Sequence, residues 1–299
     1  MSDIKPKSNT SYGGQALIEG IMIRGKFTSV LVAKPPDGPL IKKEIPFSKF
    51  YSPKFMKIPI IRGILMLIDT LVVGTKALNF SAIVAEGNIS SEDNINEQEG
   101  MSLALVITVS LIFAISIFFM APALISRFFN QFGINNLYIS IIEGAIRLFF
   151  VIGYIYLISL SKDIKRVFQY HGAEHMAVAT HECGEDLTIN NVKSHSKEHP
   201  RCGTSFLLLV VMVSIFVFML FPRDNIILFI ISRIIFVPII AGISYELLKL
   251  GSKSRFKLVT NILNGPGMLI QKITTREPDD SQIEVAIESM KYAIELNES

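Results

Sequence analysis

The side chains best suited to holding a metal ion are gathered in one place. All five histidines (His171, His175, His181, His195, His199) and both cysteines (Cys183, Cys202) lie between Tyr170 and Cys202. Imidazole and thiolate are preferred ligands of borderline-soft divalent ions, zinc above all. Within this polar stretch, His171-Gly-Ala-Glu174-His175 has the spacing H-x-x-E-H. On a helix, positions i, i+3 and i+4 share a face, so two imidazoles and one carboxylate converge on a point.

That spacing is the inverted zinc-peptidase motif, in which two histidines hold zinc and the glutamate activates water. Five residues match by chance readily. The gathering of every other His and Cys nearby favours a metal site over histidines scattered on a solvated helix. Zinc needs a third protein ligand, and a fourth where its role is structural. His199-Pro-Arg-Cys202 is the best supplier, with His181, Glu182, Cys183 and Glu246 as alternatives; His195, inside a polar loop, is the weakest. The expected site is therefore His171, His175, His199 and Cys202 around Zn2+, with Glu174 as general base.

The elements that position these residues belong to a membrane class. Half of the 299 residues are hydrophobic, 18% are charged and there is no Trp, whereas a soluble domain carries nearer a quarter charged residues. A net charge of +3 gives no reason to expect nucleic acid as a partner; the expected partner is the lipid bilayer. Two cysteines set among histidines argue for metal rather than a disulfide framework. The N-terminal Met1–Gly14 has no apolar run behind its charges, so no cleaved signal peptide is expected.

The expected fold is an α-helical polytopic membrane protein with about four transmembrane helices, an interfacial helix and a small cytosolic α/β module. Residues 1–58 read as a strand-rich module, with Gln15–Arg24 apolar and Pro35-Pro36-Asp37-Gly38-Pro39 marking a hairpin. Glu19 and Arg24 interrupt that pattern and read as a solvent-facing pair on a half-buried sheet. Residues 59–84 are apolar, yet Arg62, Asp69 and Lys76 recur every seven residues on one face, which suits an interfacial helix. An acidic linker follows to residue 100. The membrane domain, 101–248, holds spans at about 102–126, 137–161, 205–221 and 226–248, with the His/Cys segment 162–204 between the second and third. In the C-terminal segment 249–299, Asn264-Gly-Pro-Gly267 is expected to break the chain. An amphipathic helix capped by Asp280-Ser281 carries Ile283, Ala286, Ile287, Met290 and Ile294 on one face.

Lys and Arg counts orient the spans. Residues 1–100 carry twelve, 162–203 six and 249–299 seven, against one in each of the short connections 127–136 and 222–225. By the positive-inside rule both termini and the His/Cys segment face the cytosol. Glu143 and Arg147 lie one turn apart in the second span and Arg233 lies in the fourth. At ~1.5 Å per residue Glu143 and Arg233 sit about 9 and 10 Å below the outer surface, so a shared ion-pair cluster is expected.

With these residues in view, the chain resembles the YqhQ-like family of uncharacterised bacterial membrane proteins, domain of unknown function 1385. The resemblance rests on Gly13–Gly25, on Tyr170–His175 with His199–Thr204, on Ala241–Glu246 and on Thr274–Asp280. It implies a predicted metal-dependent enzyme of the cytoplasmic membrane, adds weight to His171, Glu174, His175, His199 and Cys202, and points to Glu19, Arg24, Glu246 and Arg276 as second-site or supporting residues. The leading expectation is a metal-dependent hydrolase at the cytosolic membrane face. The alternative is a scaffold or transporter whose closed zinc site staples two spans together.

Overall fold

The computed structural model describes residues 12–47, 55–87, 99–200, 202–221, 225–253 and 256–298. It is mostly helical, with one four-stranded antiparallel sheet, β1 (Gly13–Leu17), β2 (Gly20–Arg24), β3 (Ser29–Ala33) and β4 (Ile41–Ile45), in sequential order. The near-continuous apolar runs of β2 and β3 are explained by burial on both faces. Side chains alternate across a strand: Ile21, Ile23, Val30 and Val32 face one core, and Met22, Leu31 and Ala33 face another. The first core is closed by α5 (Lys162–Cys183) and α10 (Asp280–Glu298), the second by α1 (Ile61–Ala85). Edge strand β4 is charged where it is exposed, at Lys42 and Glu44, which discourages pairing with another sheet.

This arrangement corrects the reading of Glu19 and Arg24 as a solvent-facing pair. Gln15–Arg24 is two strands joined by a two-residue turn at Ile18-Glu19, with Leu17 opposite Gly20. Glu19 occupies the left-handed region at φ 50°, unusual for a side chain of its size. Its carboxylate accepts from both Arg166 Nε (2.5 Å) and Nη2 (2.6 Å) and from the Tyr170 hydroxyl (3.0 Å), all on α5. Arg24 shares the face of Met22 and pairs with buried Asp69 on α1.

Among the described residues, three helical stretches are long and apolar enough to cross a membrane: Ala104–Phe132, Asn136–Ile158 and Ile226–Gly251. The first joins α2 (Glu99–Ile115), a π-helical turn (Ser116–Met120), α3 (Ala121–Arg127) and a 3-10 turn (Phe128–Phe132) without a break. The second is α4 (Asn136–Ile158), and the third belongs to α8 (Ile226–Lys253). α7 (Gly203–Met219) is equally apolar but has only 17 residues, about 25 Å of helix. Of the expected acidic linker, residues 88–98 lie outside the described residues, as do 222–224 of the tight connection before α8.

Two expectations at the C-terminal end are overturned. Asn264–Gly267 does not break the chain: α9 runs from Lys257 to Thr274 with Pro266 inside it. The helix packs on α7 and α8, and a Cβ at Gly267 would collide with Ser205, so tertiary packing overrides weak helix formers. The cap of α10 is Asp279, not Asp280-Ser281. Its Oδ1 accepts from Gln282 N, and Gln282 Oε1 accepts from Asp279 N, both at 3.0 Å, a reciprocal capping box. α6 (Ile189–Lys193) is a short helix between α5 and the loop carrying His199.

Candidate metal centre

α5 puts His171 and His175 one turn apart, with ring centroids at 4.3 Å. Cys202, the residue before α7, brings its sulfur to 3.2 Å from His171 Nε2. The ligand atoms of His171, His175 and Cys202 all lie within 4.8 Å of one another. Each ring is held by its other nitrogen. His171 Nδ1 donates to the Thr274 carbonyl (2.8 Å) and His175 Nδ1 donates to the Lys197 carbonyl (2.6 Å). A carbonyl can only accept, so both Nδ1 atoms carry the proton and both Nε2 lone pairs face the sulfur. Backbone carbonyls fixing the tautomer in this way are the usual support of metal-bound histidine. The Cys202 sulfur accepts from Thr204 Oγ1 (3.3 Å) and N (3.5 Å) at the start of α7, surroundings that suit a negatively charged thiolate ligand. Two imidazoles and a thiolate so disposed fit zinc.

Glu174 is buried beside this group, its Oε2 3.6 Å from His175 Nε2. Burial raises its pKa, with nearby Glu182 adding to that; His171, His199 and the Gly14 N–H pull the other way. Burial also lowers the pKa of His175, which keeps the ring neutral and able to ligate. Gly14 lies so close that a Cβ there would overlap the Glu174 carboxylate. The sheet thus seats the carboxylate. A cavity of about 470 Å³ opens here, bounded by β1, α1, α5 and the start of α7. Glu174, His175, His199 and Cys202 line one part of it, and Arg24 and Met66 another.

The remaining expected residues are distributed as follows. His199 is buried next to the cluster, its ring centroid 5.7 Å from that of His175, but its Nε2 faces Glu182 at 3.4 Å. Its backbone is clamped by Gln271, which accepts from His199 N (2.7 Å) and donates to His199 O (2.9 Å). Glu246 pairs with Arg62 (Nε, 2.6 Å) on α1, and Arg276 exposes its side chain while its N–H meets the Phe168 carbonyl. Glu19 and Arg24 hold the sheet to α5 and α1, as described. Glu143 bridges Arg147 (2.8 Å) and Arg233 (3.1 Å), and all three are buried. His181 packs edge-on against Tyr12. Residues that sequence reasoning did not single out are Gly14, Gln271 and the carbonyls of Lys197 and Thr274. Gly14, in a Gly-Gly pair, and Thr274 fall within stretches that carry the family resemblance, while Gln271 and Lys197 do not.

The sequence pattern of the family described as "Protein of unknown function (DUF1385)" matches residues 58–296. The chain belongs to this family. It is also similar to the "Uncharacterized protein YqhQ" of Bacillus subtilis (strain 168), 38% identical over 305 residues, covering 98% of this chain and 95% of that protein. The DUF1385 pattern begins after the sheet and includes the whole His/Cys segment; the similarity to YqhQ extends over the sheet as well. No solved structure matches.

Proposed function

We propose that this DUF1385 protein is a metal-dependent hydrolase of the cytoplasmic membrane, working at the cytosolic face. The observation that carries this reading is the convergence of His171 Nε2, His175 Nε2 and Cys202 Sγ beside the buried Glu174 carboxylate, at the wall of a cavity. A zinc ion held there supplies Lewis acidity for polarising a carbonyl or phosphoryl oxygen. The chain's own contribution is Glu174, which takes a proton from attacking water; burial raises its basicity. The turn of His199 towards Glu182 favours an open fourth position over a closed one. A zinc staple between α5 and α7 is the competing reading, favoured by the placement of Cys202 at the start of α7.

A parity argument supports four crossings. The sheet, α5 and α10 pack around one core and so occupy one side of the bilayer. The chain must then cross an even number of times between the sheet and α5, and again between α5 and α10. α2–α3 with α4 satisfies the first interval, which keeps α1 out of the bilayer as an interfacial helix. The second interval contains α8, so α7 crosses too, its shortness met by local thinning of the bilayer. The Lys and Arg distribution favours the cytosol as the shared side. Reporter fusions at Asn135 and Ser299 test the orientation: Asn135 outside and Ser299 inside are expected, and the reverse overturns it.

Cobalt substitution separates the two readings of the metal. In the enzyme reading, a small anion such as azide shifts the d–d spectrum of the cobalt protein, and Glu174→Gln retains the metal while losing biological complementation. A spectrum indifferent to added anions, together with full complementation by Glu174→Gln, leaves the structural staple. Unchanged metal content in His171→Ala, His175→Ala ends both.

A further inference from the structure

The end of α5 holds a second set of ligands that the centre above does not use. α5 stops at Cys183 because Gly184 takes the left-handed conformation, φ 70°. Gly184 N then donates to the His181 carbonyl (2.9 Å) and Glu185 N to the Thr180 carbonyl (3.2 Å), the paired bonds of a glycine-terminated helix. This reversal folds Glu185 back beside Cys183. The turn after α6, closed by His195 N donating to the Val192 carbonyl, delivers a third group. His195 Nε2 lies 3.1 Å from Glu185 Oε2. The ligand atoms of Cys183, Glu185 and His195 all fall within 4.8 Å of one another.

We propose that Cys183, Glu185 and His195 form a second, exchangeable zinc site, separate from the buried centre. A tetrahedral zinc site places its ligand atoms roughly 3.3–3.8 Å apart, from bond lengths of about 2.0–2.3 Å. The cluster therefore needs a contraction of about 1.5 Å at most, within reach of a rotamer change in a partly exposed side chain. All three ligands come from one short stretch of chain, so little conformational entropy is lost on closing the site. The mixture of thiolate, imidazole and carboxylate selects zinc over magnesium or calcium. Cys183 stands eight residues beyond His175, about 12 Å along the helix, too far for one ion to serve both clusters. His195 is partly buried and Glu185 is 42% exposed, which makes this the faster-exchanging site. Occupied, it pins both ends of the loop leading from α5 towards His199 and Cys202.

The test uses full-length protein in detergent, reduced, stripped with a strong chelator and titrated with Co2+ as the probe. Two equivalents are expected, both with thiolate-to-cobalt charge-transfer absorption. Cys183→Ala with His195→Ala should remove the weaker equivalent, with an affinity loss of roughly tenfold or more, and leave the tighter one, which also reports that the variant is folded. His171→Ala with His175→Ala should do the opposite. Zn2+ should slow maleimide labelling of Cys183 by a similar factor in that second variant. A single equivalent in the parent that Cys183→Ala, His195→Ala retains at unchanged affinity, or a Cys183→Ala, His195→Ala variant that keeps two at unchanged affinity, overturns the second site. Either result marks the His195–Glu185 contact as a surface hydrogen bond only and leaves the buried centre to its own tests.

Discussion

Gly172→Ala tests whether the backbone carbonyl behind His171 sets metal affinity. Gly172 follows His171 on α5, and a Cβ there would run into the Arg276 carbonyl oxygen, about 1 Å inside ordinary contact. The segment after α9 cannot easily yield, because Arg276 N donates to the Phe168 carbonyl at 2.9 Å. If it does yield, the 2.8 Å bond from His171 Nδ1 to Thr274, two residues earlier, goes with it. A shift of about 1 Å takes that contact beyond hydrogen-bonding distance. Overpacking of this kind costs ~1–3 kcal/mol, while replacing Gly by Ala inside a helix returns up to ~1 kcal/mol. The net loss of stability is therefore about 0–2 kcal/mol, too small to be decisive. Metal affinity has no such offset, and losing the group that orients a ligating imidazole typically costs 10–100-fold. Competition against a chromophoric chelator reads this directly, with melting temperature as control. Affinity within twofold of the parent would refute the claim that the Thr274 carbonyl positions His171.

Other substitutions probe the scaffold. Glu143→Gln removes the buried carboxylate that pairs with both Arg147 and Arg233, and breaking such a pair costs roughly 3–5 kcal/mol; a melting temperature in detergent equal to the parent's would count against a structural role for this cluster. Arg166→Ala removes both bonds to Glu19, a partly exposed pair worth at most about 1 kcal/mol. Arg166 is the main cause of the lowered pKa of Glu19, with Tyr170 assisting and burial opposing. A depressed carboxylate contributes stability that is present above its ordinary value of 4.5 and is lost as pH falls below that value. The parent should therefore outmelt Arg166→Ala at neutral pH, with the gap narrowing on acidification below pH ~4.5; a gap that does not narrow as pH falls below that point would contradict the assignment.

Residue periodicity carried much of this architecture. The i, i+3, i+4 spacing fixed the shared face of His171, Glu174 and His175 in advance, and helical depth alone suggested that Glu143, Arg147 and Arg233 would meet. What stayed hidden depends on groups without a side-chain signature. Every residue has a carbonyl, so nothing marks those of Thr274 and Lys197 as the partners of two imidazoles. Ile18-Glu19 lacks the Gly or Asn expected in a two-residue hairpin; there the turn is held by α5, through Arg166 and Tyr170. Asn264-Gly-Pro-Gly267 has the composition of a break, yet it is helical because packing on α7 and α8 outweighs local preference. Arg24 looked solvated because its partner, Asp69, is brought to it only by the burial of the sheet's second face.

The sheet's first core has a bearing on how the molecule comes into being. β1–β4 leave the ribosome long before α10, which covers them together with α5. Ile21, Ile23, Val30 and Val32 must therefore wait for α10 to emerge before their surface is fully covered. The Thr274 carbonyl that aligns His171 arrives almost as late. Pairings so distant in sequence form slowly, and apolar strands left open meanwhile are prone to aggregate. The cluster of His171, His175 and Cys202 is thus completed late, and a chain truncated before α10 leaves the sheet's first core uncovered.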